Sequence, residues 1–213
     1  ESSIPSAGVI NSLVVNTPVN VGNDQFTTYN RYIANYWQQY VKVINDTVSA
    51  GFISGGTNKE VAARILEQIT LDNNAGDLSK AKRAAETMAR TGTNHYATQA
   101  TVAFVDTNDE VLTGYRMIST LDNETSRQCS SLDQMVFKKD DPNIPWPPGH
   151  PRCRRRVIYE IDGRYGYDDS ASTRPSNFTN ADGKREPVRV SSKEIYYQEV
   201  KSMSAVDRNA LLG

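Results

Sequence analysis

Cys129, His150 and Cys153 are the residues of this 213-residue chain whose types and spacing could do chemistry beyond packing. His150 and Cys153 are separated by two residues, so an imidazole and a thiol share one compact turn able to chelate a single ion. Cys129, about twenty residues earlier, could add a third donor. Zinc in a structural site takes about four nitrogen or sulfur ligands, and the chain has only 2 cysteines. His95, Asp133 or Asp122 would have to complete the shell. Three protein ligands and an open position would also describe a catalytic zinc, but no His-Glu-x-x-His helix accompanies them. The same residues equally allow a Cys129–Cys153 disulfide, or two ordinary buried thiols.

Other chemistries find little purchase. With 2 histidines, any Ser-His-Asp or Cys-His set must use His95 or His150, and neither lies near a Gly-x-Ser-x-Gly elbow. The chain carries no phosphate-binding Gly-rich loop of the P-loop or dinucleotide type. Asp140 and Asp141 precede a proline and read as a solvated turn, not an acid–base pair. Arg152, Arg154, Arg155 and Arg156 put four guanidinium groups within a short stretch, suited to bidentate contacts with phosphate or carboxylate. If Arg154 to Val157 is a strand, alternation sends Arg154 and Arg156 to one face and Arg155 to the other. That face could meet DNA or an acidic partner, or pair with the chain's own 25 acidic residues.

The elements that must position these groups follow from the periodicity. Residues 1–24 read as an extended N-terminal arm, rich in Ser, Asn, Pro and Gly, with short apolar stretches. The chain opens on Glu1, which implies a start inside a longer gene product or a removed N-terminus, and no retained secretion signal is visible. Residues 25–100 form a helical region. Tyr29, Tyr32, Ile33, Tyr36, Trp37, Tyr40, Val41, Ile44 and Val48 recur at helical spacing, and their aromatics read as core. Gly51 and the pair Gly55 and Gly56 end that helix. Thr57 and Glu60 make a capping box that opens a second helix with Val61, Ile65 and Ile69 inward. A turn at Asn73–Gly76 leads to a third helix from about Asp77, with Leu78, Ala81, Ala85, Met88 and Ala89 inward and room to continue towards Ala103.

From Thr101 to about 161 the texture is that of a small α+β module. Strands are expected at Thr101–Val105, Val111–Ser119, Met135–Phe137 and Val157–Tyr159, with a short helix opening at Asn123–Ser126. Prolines make the stretch from Asp141 to Gly149 a rigid extended loop. Residues 162–213 read as a long loop to Arg189 and a final helix from about Ser192. The fold class is therefore α+β: an N-terminal helical bundle, a small mixed module with a Cys/His/Pro-rich loop, and a C-terminal helix.

Composition narrows the function classes. A net charge of -1 argues against a general polyanion binder. No apolar run reaches the roughly 18 residues of a membrane span. Two cysteines are too few for a disulfide-built scaffold.

Taken in order, Arg90-Thr-Gly-Thr-Asn94, Gly114 to Asp122 with its Leu-Asp end, Thr125 and Ser126, Cys129, Leu132 and Asp133, Val136 and Phe137, Pro147 and Pro148, His150, Cys153 and Arg154 resemble the phage Mu F-like minor head protein family. The resemblance covers roughly residues 40–213 and is most specific between Leu121 and Arg154. Two departures stand out. Family members often carry Gly where this chain has Gln134, so the turn is expected to be built differently. Many also carry a further cysteine beside the first one or just after Cys-Arg, where Arg155 stands here, which removes a fourth zinc ligand. The resemblance implies a non-enzymatic minor capsid protein of a tailed phage, carried on the portal protein inside the head and assembled in host cytoplasm. It implies a part in head morphogenesis, genome packaging or DNA ejection, with the portal, other head proteins and packaged DNA as partners. Two rival readings are a toxin or enzyme using the Cys129, His150 and Cys153 region, and a helical binding module unrelated to phage heads.

Overall fold

The computed structural model of the chain describes residues 3–20, 25–71, 78–122, 124–165, 173–176 and 188–191. These form two compact units, one of residues 1–108 with Pro145–Cys153, the other of residues 109–144 with 154–213.

The first unit is helical. Its opening residues do not form the extended arm that their composition suggests: Ala7–Asn16 is a helix, α1, capped by the Ser6 hydroxyl, which accepts from the Val9 amide. α1 packs on the longest helix of the unit, and Val14 is fully buried. One buried valine on a short amphipathic turn is enough when side chains of another helix hold the backbone, since tertiary packing outweighs propensity in short helices. A minimal antiparallel pair, β1 (Val19–Asn20) and β2 (Phe26–Thr27), follows.

The aromatic stripe is two helices rather than one. α2 (Tyr29–Trp37) gives way to a 3₁₀ turn at Gln38–Tyr40, and α3 (Val41–Ile53) resumes. The break rephases the stripe, so that Tyr29, Tyr32 and Ile33 on one side of it and Ile44 and Val48 on the other enter the same core. α3 runs through Gly51, where a Cβ would lie 2.4 Å from Val61; this glycine serves close helix approach, not termination. Thr57 and Glu60 do form the capping box: each backbone amide donates to the other's side chain, at 2.8 and 3.3 Å. α4 (Asn58–Leu71) then buries Val61, Ile65 and Ile69. The turn read at Asn73–Gly76 lies outside the described residues.

α5 spans Leu78–Thr107, so Thr101–Val105 is helix, not strand. Ala103 and Val105 are both buried, and Thr98, Thr101 and Thr107 each donate a hydroxyl hydrogen bond to the carbonyl four residues back. That bond relieves the conflict between a β-branched hydroxyl side chain and the helix. Burial of the helix face then overrides strand preference.

The second unit is built on a three-stranded antiparallel sheet of order β4-β3-β5, with β3 Leu112–Ser119, β4 Val136–Lys138 and β5 Arg155–Ile161. Tyr115 faces Phe137 and Tyr159 across the sheet, and Met117 faces Val157. Gly114 is required where it stands: a Cβ would lie 2.2 Å from the Phe137 carbonyl oxygen. The five-residue helix α6 (Arg127–Ser131) is capped by Ser126, within the helix start expected there. Residues beyond Asp162 are not one long loop, because β6 (Thr173–Ser176) and β7 (Val188–Ser191) pair antiparallel. The final helix expected from Ser192 lies outside the described residues. No described helix is long and apolar enough to cross a membrane.

Candidate functional site

Cys129 is buried in the second unit, and one turn of the first carries His150, half-buried, and Cys153, buried.

Each of these residues is held by polar neighbours in its own unit. Cys129 sits in the first turn of α6, where its amide donates to the Ser126 hydroxyl at 3.2 Å. Its carbonyl accepts from the Ser119 hydroxyl at 2.7 Å. The turn bearing His150 and Cys153 is fastened to α5: the Asn94 amide donates to the Cys153 carbonyl at 3.2 Å, and the Arg152 amide donates to the Thr91 hydroxyl at 3.0 Å. Thr91 and Asn94 are buried on the helix, which gives the Arg90–Asn94 stretch its physical meaning. Between them Gly92 lies against Tyr29, whose hydroxyl donates to the Met88 carbonyl at 3.0 Å. Arg152 takes a left-handed backbone, φ +60°, which tightens the turn. His150 Nδ1 lies 2.9 Å from the Pro151 carbonyl. As the proton donor of that bond, Nδ1 leaves the ring's lone pair on Nε2.

The three residues considered for a fourth ligand are committed elsewhere. His95 is buried in α5, with Nε2 3.1 Å from the Val14 carbonyl. Burial holds its pKa below the ordinary histidine value, and the carbonyls of Val14 and Thr17 partly restore it. Asp133 accepts two bonds from Arg174, at 2.6 and 2.8 Å, and one from the Ser119 amide at 2.8 Å. Asp122 accepts from the Thr125 hydroxyl at 2.9 Å, from the Glu124 amide at 3.1 Å and from Arg154.

The arginine run is not one cationic face. β5 begins at Arg155, one residue later than the alternation argument assumed. Arg154 therefore precedes the strand and is spent on Asp122 and Glu124. Arg155 is fully buried, with Nη1 3.5 Å from the Gln128 carbonyl. Arg152 lies 3.9 Å from Glu86. Arg152 and Arg156 are the two of the four that stand exposed. Internal pairing wins because burying an unpaired guanidinium would cost several kcal/mol, roughly.

Gln134 occupies the left-handed region at φ +64°, a conformation that favours glycine. The turn therefore keeps a glycine-like backbone under a non-glycine residue.

The second unit is an antiparallel sheet module with a buried polar lattice. Residues 42–158 match the Phage Mu protein F like protein family. The chain belongs to that family, and is thereby a phage head-related protein. Neither a curated protein nor a solved structure matches the chain.

Proposed function

We propose that the chain is a non-enzymatic minor head protein, bound to the portal inside the phage head, that acts in head assembly, genome packaging or DNA ejection. The observation that carries this reading is the family match over residues 42–158. The site chemistry supports it. The carboxylates and guanidinium groups around the motif residues are paired with each other, which leaves them structural work and no poised acid–base couple. Mass spectrometry of purified, DNA-filled particles against emptied ones tests the reading. The expected result is this chain at low copy in filled particles. Absence from every particle would overturn it.

Cys129, His150 and Cys153 are in our reading a structural zinc site. Two thiolates and an imidazole are the donor chemistry zinc prefers, and the hydrogen bond at His150 Nδ1 presents the right nitrogen. When bound, zinc would supply a cross-link between the three side chains. Metal analysis of the protein purified without chelator should return stoichiometric zinc that Cys153→Ser loses. A mass lower by two hydrogens, closed by reductant, would assign a Cys129–Cys153 disulfide instead.

A further inference from the structure

A groove of about 380 Å³ runs along the surface where α4 meets α5. Its walls come from Asn58, Ala62 and Leu66 on α4 and from Lys82, Glu86 and Arg90 on α5. Both sets are spaced by four, so each helix presents one continuous stripe. Ala63 and Lys59 complete the lining. The floor is thus small and apolar, and the rim carries three cations.

Among the described residues, Lys59, Lys82 and Arg90 have neither an ion pair nor a hydrogen-bond partner. Glu86 is the single carboxylate of the lining, and it faces Arg152 at 3.9 Å with both side chains nearly half exposed. A surface of near-neutral overall charge has concentrated uncompensated positive charge around an alanine and leucine floor.

We infer that this groove docks an acidic amphipathic helix of another protein. An apolar side chain would seat over Ala62, Ala63 and Leu66, and flanking carboxylates would meet Lys59, Lys82 and Arg90. This is the helix-in-groove mode of recognition, with charge complementarity selecting the partner. Duplex DNA satisfies the cations but offers no apolar knob for the concave floor, so the floor decides for a peptide. The inference names a surface by which the head reading could be realised, and it stands or falls separately from that reading.

The probe is a fluorescein-labelled helical peptide with leucines at every third and fourth position and glutamates on both flanks, titrated with the purified full chain. Binding should weaken about tenfold or more in Lys82→Glu/Arg90→Glu, where like charges now face each other. It should strengthen in Glu86→Gln, weaken with salt, and vanish for peptides with leucines changed to serine or glutamates to lysine. Lys82→Gln/Arg90→Gln, with folding checked by circular dichroism, replaces the reversal if that variant does not fold. Acidic peptide binding that ignores these substitutions, or absence of binding at millimolar peptide, would overturn the inference. A 20-base-pair duplex that binds instead and loses affinity in the same variants would assign the groove to DNA. If the peptide binds but the wild-type chain is missing from every particle, the groove stands and the head reading falls.

Discussion

The helical unit and the sheet unit are held by different physics. In the first, a contiguous apolar core from Val14 to Tyr96 does the work, and α5 admits its neighbours through Ala81, Ala85, Ala89 and Gly92. In the second, the core side of the sheet is shared with polar groups that are as buried as the apolar ones: Ser119, Asp122, Arg155, Arg174 and Ser176. Such a module fixes its turns by buried hydrogen-bond and ion-pair networks around Asp122 and Asp133, which specify one arrangement and are costly to break.

That contrast can be broken most sharply at Asp133 and Arg174, each only 2% exposed in its side chain. Arg174→Met leaves Asp133 buried without both hydrogen bonds of its guanidinium partner and should destabilise the sheet unit by about 3–5 kcal/mol. A denaturant melt followed by amide exchange should show the loss in β3 and β6 before α3 and α4. Restoring neutrality with Asp133→Asn in the same chain should recover part of it. Equal loss in both units would show that they do not differ in the way described.

In the helical unit the sensitive point is steric. Gly92→Ala places a Cβ 2.0 Å from the Tyr29 hydroxyl and 2.9 Å from Val48. Overpacking of a tight core should cost about 1–3 kcal/mol. Tyr29→Phe in the same chain should relieve some of this by removing the nearest atom, a coupling that a double-mutant cycle of melting temperatures reads directly.

A smaller effect comes from acid. His95 is neutral in the folded chain because burial lowers its pKa, whereas in the unfolded chain it takes up a proton near pH 6.5, roughly. The unfolded state binds more protons as pH falls through that value, so stability is complete above it and declines below it. His95→Gln should flatten the decline between about pH 6.5 and 5, measured as the change in urea midpoint against the parent chain.

The smallest effect has the opposite sign. Gln134→Gly removes a left-handed strain of about 1–2 kcal/mol but adds backbone entropy to the unfolded chain. It should stabilise the sheet unit by about 0.5–1 kcal/mol, net of a weak 3.4 Å bond from Arg116. An unchanged or lowered melting temperature would mean that the Gln134 side chain contributes more than its backbone costs.

How much of this was legible beforehand divides along the same line. Apolar periodicity locates α2 to α5 and the capping box at Thr57, because a dry core writes its spacing into the residues that line it. The strands at 112–119, 136–138 and 155–161 show as β-branched and aromatic runs. Thr101–Val105 misleads because strand preference is weaker than the burial of a helix already under way. The Cys129, His150 and Cys153 set is visible in residue type and spacing alone. Its supports are not: Thr91, Asn94, Ser119 and Arg174 are polar residues whose partners lie far away in sequence, and nothing local marks them as buried. The one available signal is a polar residue at an inward helical position, which Thr91 and Asn94 both satisfy. The arginine run misleads for the converse reason, since exposure cannot be read from charge when a buried carboxylate such as Asp122 waits elsewhere in the chain.

α5 carries three separate fittings in sequence order: the groove at Lys82, Glu86 and Arg90, the clamp at Thr91 and Asn94, and the pins of the N-terminal helix at His95 and Gln99. Since all are read off one continuous rod, their bearings are set by counting residues. Deleting a single residue between Arg90 and His95 would turn one set against the other by about 100° and draw them about 1.5 Å closer. This helix therefore behaves as a graduated ruler: a substitution disturbs the one fitting it touches, whereas a change in length misaligns them all.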